Sequence, residues 1–495
     1  MKARSVSVDF MFTGSNLTQW LTLHGLVTAV AVLFYVLTSH VMHQRRQPAA
    51  AIAWMLFILL LPYLALPAFL TFGSRKLKRP RSAVSPKAAP EATQEKAPET
   101  APEPAPDPKP TRGSDTWAIE TLLALGQPPP AAYRELNIHA DGAAAQHALL
   151  DMLDAAQTSI DLCTFILGHD RLGDAVLDRL CDKARNGVAV RLLLDGLGRW
   201  MGGRADLKRL TALGGASALF VPPLRSPLKG RSNLRDHRKL LLTDAGQASG
   251  RLWCGGRNLK TEYFEGEPDT PPWRDLSFDV RGPLVGQAAA LFEHDWAFAT
   301  GQAAASVPLL QHDGPSAVSG AQVVASGPDQ VDDTIHALLV TAAYRARRRI
   351  ALATPYFVPE TALLMALCMA ARRGVVVDLL LPARSNHRLS DLARGRAVRL
   401  LAQAGGRVWL APGMLHAKLA VVDEVLALAG SANLDSRSLF LNYEVMVAFH
   451  QATDVRRFAA WFDLERRSAS LCTPTAPGLV RDVAEGMVLW LGFQL

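Results

Sequence analysis

The sequence predicts an α/β protein: two pseudo-symmetric α/β halves sharing one cleft, preceded by a two-helix transmembrane hairpin. Three observations predict it. Two long uncharged runs open the chain, a strand–helix–strand pattern occurs twice, and each occurrence is followed by the same polar spacing, H-x-K-x4-D. The 495 residues leave room for two or three domains, and 49% hydrophobic residues with a positive mean hydropathy exceed what a typical soluble enzyme carries. A net charge of +8 points to an anionic partner, whether nucleic acid, anionic lipid or phosphate ester, or else reports charge flanking membrane segments. Cys163, Cys181, Cys254, Cys368 and Cys472 are odd in number and scattered, with no C-x-x-C and no metal-ligand spacing. This usage suits a reducing compartment and indicates neither a metal nor a cofactor.

The hairpin is expected over residues 1–79. Trp20 to His40 contains no charged side chain and is long enough, at ~1.5 Å per residue, to cross ~30 Å of hydrocarbon. Ala49 to Phe72 is a second uncharged run, with Pro62 and Pro67 in its later part. A cleaved signal peptide is the alternative for the first run, but no small-residue cleavage site closes it and the second run follows at once. Lys2, Arg4, Arg75, Lys76, Lys78, Arg79 and Arg81 lie on the outer flanks against Arg45 and Arg46 in the loop. That bias predicts both ends in the cytoplasm, with the catalytic region there too.

Residues 80–113 read as a linker, because nine prolines fall between Pro80 and Pro110 among Ala, Glu and Lys. The globular body is expected as a first half over 114–312 and a second over 313–495. Ile160–Phe165 and Val188–Asp195 flank a helical stretch in the first; Ile350–Phe357 and Val375–Leu381 do so in the second. Gly187 and Gly374 follow the helices as C-caps, and the near-continuous apolar strands indicate sheets covered on both faces.

The chemistry is expected from two stretches. His416 and Lys418 precede Leu419–Val422, a short apolar run of strand character, and lead to Asp423. Residues two apart on an extended segment share a side, so an imidazole and an ammonium stand together, as a phosphate ester requires. His237, Lys239 and Asp244 repeat the spacing. One such match would arise by chance in about one of sixteen chains of this length, so two are a strong signal. Gly255-Gly256-Arg257-Asn258 follows the first and Gly430-Ser431-Ala432-Asn433 the second.

These paired motifs resemble those of the phospholipase D superfamily. Gln47-Pro48, Ala53-Trp54 and Leu61-Pro62 are similar to the membrane region of its bacterial cardiolipin synthases. The resemblance implies transfer of a phosphatidyl group between two phosphatidylglycerols, giving cardiolipin and glycerol through a phosphohistidine. It implies His237 as nucleophile and His416 as acid/base, a choice the residues themselves leave open. Lys239 and Lys418, with Asn258, Asn433 and Ser431, would grip the phosphate oxygens. Asp244 and Asp423, an odd number of positions from their lysines, face away and read as structural. Asp275 and Glu444 suit the carboxylate that orients a catalytic histidine, or are ordinary strand-edge acids.

The expected partners are phosphatidylglycerol, other anionic phospholipids and the bilayer, at the inner membrane. Hydrolysis to phosphatidic acid uses the same intermediate, and a silent lipid-binding scaffold is the reading from another class. A nuclease fits poorly with a membrane hairpin, so no nucleic acid is expected. Pro355–Phe357 resembles a corner lining the cleft. Arg384, Asn386 and His387 are solvated loop residues or headgroup contacts; His294 and Trp296 read as packing. The tail from Leu479 is either an interfacial helix or a helix closing the second half.

Overall fold

The structure is a computed structural model that describes residues 14–41, 48–72, 116–139, 141–222, 233–268, 270–306, 320–330 and 332–492. The expected linker at 80–113, the basic flanks and loop used for orientation, and the 312/313 boundary lie outside the described residues.

The first helix, α1 (Gly14–Val41), carries a span over Thr18–Leu37 that is long and apolar enough to cross a membrane, the only one among the described residues. The second arm differs from the expected single span. It is two helices, α2 (Pro48–Leu60) and α3 (Pro62–Phe72), of 13 and 11 residues. At ~1.5 Å per residue, neither alone reaches ~30 Å. Pro62 is the cause: without an N–H it cannot continue α2, but it opens α3 where no donor is needed. Pro67 is tolerated inside α3. Both helices pack against α1, burying Trp54, Ile58, Ala65 and Phe69 with Ala31 and Tyr35.

After α4 (Trp117–Ala124), the first half contributes β1 (Arg134–His139), α5 (Gly142–Ala155), β2 (Ser159–Thr164), α6 (Arg171–Arg185), β3 (Ala189–Asp195), α7 (Gly196–Met201), α8 (Leu207–Ala212), β4 (Ala216–Phe220), β5 (Leu240–Thr243), β6 (Arg251–Gly255), β7 (Ser277–Arg281) and α9 (Leu284–Thr300). The second follows with β8 (Ala321–Ser326), α10 (Thr334–Arg345), β9 (Arg349–Ala353), β10 (Phe357–Val358), α11 (Thr361–Arg372), β11 (Val376–Pro382), α12 (Arg388–Gln403), β12 (Arg407–Ala411), β13 (Leu419–Val422), β14 (Leu426–Gly430), β15 (Leu434–Asp435), α13 (Ser436–Phe440), β16 (Glu444–Phe449), α14 (Ala452–Arg467), β17 (Ser470–Leu471) and α15 (Leu479–Gly492).

The internal repeat is topological. The first sheet runs β1-β7-β6-β5-β2-β3-β4, and the second runs β8-β16-β14-β13-β9-β11-β12-β17. Matched by place, each strand of the first half has its equivalent, with β17 added at the far edge. The two sheets share a central core in which Cys254, Phe278 and Val280 meet Ala429, Val447 and Phe449, with the Phe278 and Phe449 rings 5.3 Å apart. α5 and α6 cover the outer face of the first sheet, and α10 and α11 that of the second. Coverage on both faces is why β5, β13, β14 and β16 are buried at every position rather than alternating.

The motif aspartates end the strands that follow the motif lysines. Asp244 and Asp423 adopt left-handed φ of 49° and 51°, which Asp tolerates better than most residues. Asp244 accepts from the backbone N–H groups of Gln157, Thr158 and Ser159 and from the Thr158 hydroxyl, at 2.7–3.1 Å. Asp423 accepts from the N–H groups of Arg347, Arg348 and Arg349 at 2.8–2.9 Å. Each carboxylate thus ties its turn to the entrance of the neighbouring central strand. Replacing either by Ala should cost about 1–3 kcal/mol, through lost charge-assisted hydrogen bonds and a strained φ, and lower the melting temperature. Asn should recover part of it. Loss of turnover with an unchanged melting temperature in Asp423→Ala would refute this structural role.

Candidate active site

The segments entering β5 and β13 cross over to the other half. Asp236 bridges Tyr443, with the His237 N–H donating to the Tyr443 carbonyl at 2.9 Å; Arg274 bridges Leu415, with the His416 N–H donating to the Arg274 carbonyl at 2.6 Å. Each bridge places a histidine beside the acid of the opposite half. His237 Nδ1 lies 3.0 Å from both carboxylate oxygens of Glu444, and His416 Nδ1 lies 2.7 Å from Asp275 Oδ2. The two acids are fully buried. The first half therefore holds the second half's histidine, and the second half holds the first's.

Burial and the neighbouring charges favour neutral imidazoles beside ionised acids. Burial, then the positive Lys239 and Lys418, outweigh Glu444 and lower His237. Burial and Lys418 take His416 down to about 3 against Asp275. Asp275 itself falls to about 2: burial would raise it, but Lys418 and His416 prevail. Glu444 is likewise lowered, with His237 and Lys239 outweighing burial. Each pair is thus a carboxylate accepting from the Nδ1–H of a neutral imidazole, which leaves Nε2 with its lone pair. Lys239 influences His416 and Lys418 influences His237, so the two motifs share one electrostatic site.

Both lysines are 1% exposed. Burial lowers Lys239 to about 8 and Lys418 to about 7, with Glu444 and Asp275 as the largest opposing charges. Lys239 Nζ donates to the His237 carbonyl at 2.6 Å. Lys418 Nζ lies 2.7 and 2.9 Å from the ring nitrogens of His416 and also donates to the His416 carbonyl. Asn258 donates to the Tyr263 hydroxyl at 2.8 Å, and both Asn258 and Asn433 keep a buried side-chain oxygen without a partner among the described residues.

Ser431 sits differently from the phosphate-binding role expected of it. Its hydroxyl donates to Glu444 at 2.5 Å and accepts from the Val445 N–H at 3.0 Å, so it holds the acid. Gly256, its counterpart, answers a different acid: a Cβ there would lie 2.3 Å from Asp275 Oδ1. The shorter Asp275 occupies the space a side chain at 256 would take, and Arg257, fully buried, adds a positive charge that lowers it.

Sequence reasoning missed the brace behind His237. Arg238, fully buried, ion-pairs with Asp295 of α9 and donates to the carbonyls of Glu444 at 3.1 Å and Ser326 at 3.3 Å. The neighbouring Asp236 is pushed up to about 8 by burial and Asp295. The signal was alternation: Arg238 faces opposite to His237 and Lys239, and a charge aimed into the core needs an acid. Of the other residues singled out, Tyr356 donates to the Asn386 side chain at 2.6 Å, while Trp296 packs in the central core and stacks on Phe292. Tyr263 and Trp273 bring their ring centroids to 5.1 and 5.5 Å from that of His416, a wall the sequence did not reveal.

A family model described as "Cardiolipin synthase, PLD-like domain" matches residues 149–296 and 339–465, and a phospholipase D-nuclease N-terminal model matches 27–74. Cardiolipin synthase A of Pseudomonas aeruginosa is 32% identical over 423 residues, covering 85% of each chain. The cardiolipin synthase of Geobacillus thermodenitrificans is 31% identical, covering 86% of this chain and 84% of its own. Among solved structures, phosphatidylserine synthase of Haemophilus influenzae shares the fold, with a TM-score of 0.56 at 12% identity over 76% of this chain and 96% of its own. By motif, topology and relatives alike, the chain belongs to the phospholipase D-like cardiolipin synthase family.

Proposed function

We propose that this protein is a membrane-bound cardiolipin synthase that joins two phosphatidylglycerols and releases glycerol. The observation that carries the reading is the crossed pairing: two histidines, each held at Nδ1 by a buried carboxylate of the other half, with a buried lysine beside each. His237 Nε2 attacks phosphorus and the bond to the leaving glycerol breaks, giving a phosphohistidine. His416 protonates that alkoxide, then takes the proton from the glycerol hydroxyl of the second phosphatidylglycerol, which attacks phosphorus and frees His237. The assignment is supported by access: the His237 side chain is 12% exposed against 5% for His416. Lys239, Lys418 and the two asparagines would meet the non-bridging oxygens. The basic bias of the N-terminal flanks supports a catalytic body on the cytoplasmic side of the inner membrane. Expected partners are phosphatidylglycerol, related anionic phospholipids and the bilayer.

The test is purified full-length protein with phosphatidylglycerol alone, its products resolved by mass spectrometry. Cardiolipin with stoichiometric glycerol is the expected result; phosphatidic acid would replace this reading with hydrolysis, the second reading that shares the intermediate. His416→Ala should reduce turnover by roughly 10²–10⁴-fold, and His237→Ala should abolish both turnover and the trapped phosphoenzyme. A silent scaffold would show neither, and both variants would keep its biological effect.

The pH profile should carry the lysines. Phosphate binding needs their positive charge, and in the free enzyme they lose it as pH rises through about 7 to 8. The value of kcat/KM should therefore fall on the alkaline side across that window. On the acid side, protonation of His237 below its lowered range should also reduce it. A kcat/KM still rising at pH 9 would show that both lysines stay charged and would refute the electrostatic assignment.

A further inference from the structure

α15 is an amphipathic helix mounted with Glu485 turned inward. Glu485 is 1% exposed, pairing with Arg399 of α12 at 2.6 Å and with Arg481 at 3.1 Å. On the opposite side Leu479, Val480, Val483 and Met487 are 52–85% exposed. The spacing i, i+1, i+4, i+8 lays these four on one stripe, and a helix serving only to close a globular half would turn that stripe to the core.

The stripe leads to the cleft. Asp482 reaches Arg399 at 3.7 Å, while Glu485 also abuts Gly395, a turn earlier in α12. α15 therefore runs antiparallel to α12, and its later turns advance toward the start of α12 at Arg388 and Leu389. There Leu389 is 53% exposed and Arg384 and Arg388 are exposed beside it. Asn386, in the same loop, binds Tyr356, which leads into β10, and β10 pairs with β15 directly after Asn433 of the site. An apolar strip with a basic margin thus borders the catalytic entrance.

We propose that this surface is a second membrane contact: the outer face of α15, with Leu389, inserts among the acyl chains of an anionic bilayer while Arg384 and Arg388 engage its phosphates. The chemistry selects the occupant. Apolar side chains with arginines at their edge match an anionic headgroup layer, whereas two copies meeting face to face would bring equally basic margins together. The inference rests on the reading of the chain as a membrane-tethered lipid enzyme, and it adds how the cleft is laid against its substrate.

The experiment uses the full chain in vesicles of phosphatidylglycerol and phosphatidylcholine. A polarity-sensitive fluorophore is placed at Val483→Cys in a Cys472→Ser background, and a second one, in separate protein, at Val30→Cys of α1. Quenching of the 483 probe by lipids spin-labelled near the headgroup, and of the 30 probe by lipids spin-labelled deep in the acyl chain, is the expected result. Val480→Asp/Val483→Asp/Met487→Asp should lower turnover on vesicle substrate about tenfold, with turnover on short-chain phosphatidylglycerol in detergent preserved. An unquenched 483 probe beside a quenched 30 probe overturns the proposal, as does cross-linking of 483 between copies, which would mark a dimer face. If neither probe is quenched, the tethered reading fails as well, so the two failures are distinguishable.

Discussion

The structure depends on the crossed pairing of histidine and carboxylate. Glu444 and Asp275 are buried at the mouths of equivalent strands, and each is ionised because its partners come from the other half. A buried carboxylate without such partners would be strongly destabilising. Neither half can therefore complete its own acid, and neither can orient its own histidine. This dependence explains the large core between the sheets: their registry must be held closely enough to keep Nδ1–carboxylate contacts at 2.7 and 3.0 Å. Further cross-half contacts serve the same registry, including the Arg274–Glu465 ion pair and the Tyr133–Asp454 hydrogen bond at 2.6 Å.

The pseudo-symmetry is of topology rather than of chemistry. One half-site uses a long acid clasped by a serine hydroxyl, the other a short acid packed on a glycine beside a buried arginine. Behind His237 stands Arg238 with Asp295, but behind His416 the equivalent position is Ala417, and no such brace exists there among the described residues. Arg238 donates to the Glu444 carbonyl, so it stiffens the acid that holds His237. His416 is set more deeply, enclosed by Tyr263, Trp273 and the Lys418 ammonium. One histidine is braced at the opening and the other is walled in, a division that suits attack by the first and proton handling by the second.

Much of this was legible in the sequence. Strand alternation placed His237 with Lys239 and His416 with Lys418, and the odd offset of Asp244 and Asp423 turned them away, toward the backbone N–H groups that they cap. Asp275 and Glu444 were recognisable as acids at strand entrances, but their exchange between halves was not. It arises from bridges between segments about 140 and 207 residues apart, and local patterning carries no signal across that distance. The Ser431 hydroxyl's bond to Glu444 was not legible either, since a hydroxyl suits a phosphate or a carboxylate equally. The second apolar run was legible as a continuous stretch, but its division into two helices was not, because it arises where Pro62 interrupts the hydrogen-bond ladder.

The charge balance of the cleft couples binding to chemistry. Without substrate, Lys239 and Lys418 offset Asp275 and Glu444, and both histidines are held on the neutral side by burial first and by the lysines second. A phosphodiester brings one negative charge. On the proposed reaction, its arrival beside the lysines would offset their repulsion of a proton on His416, and one proton taken up there would restore neutrality. On the proposed reaction, the acid needed for the leaving alkoxide is thus loaded by the substrate itself, while His237, held by Glu444, keeps its lone pair for attack. Departure of the neutral glycerol carries that proton away and returns His416 to the basic form, poised for the second hydroxyl. Burial and the buried lysines together depress both histidines, and on the proposed reaction this poise would let a single imidazole serve first as acid and then as base.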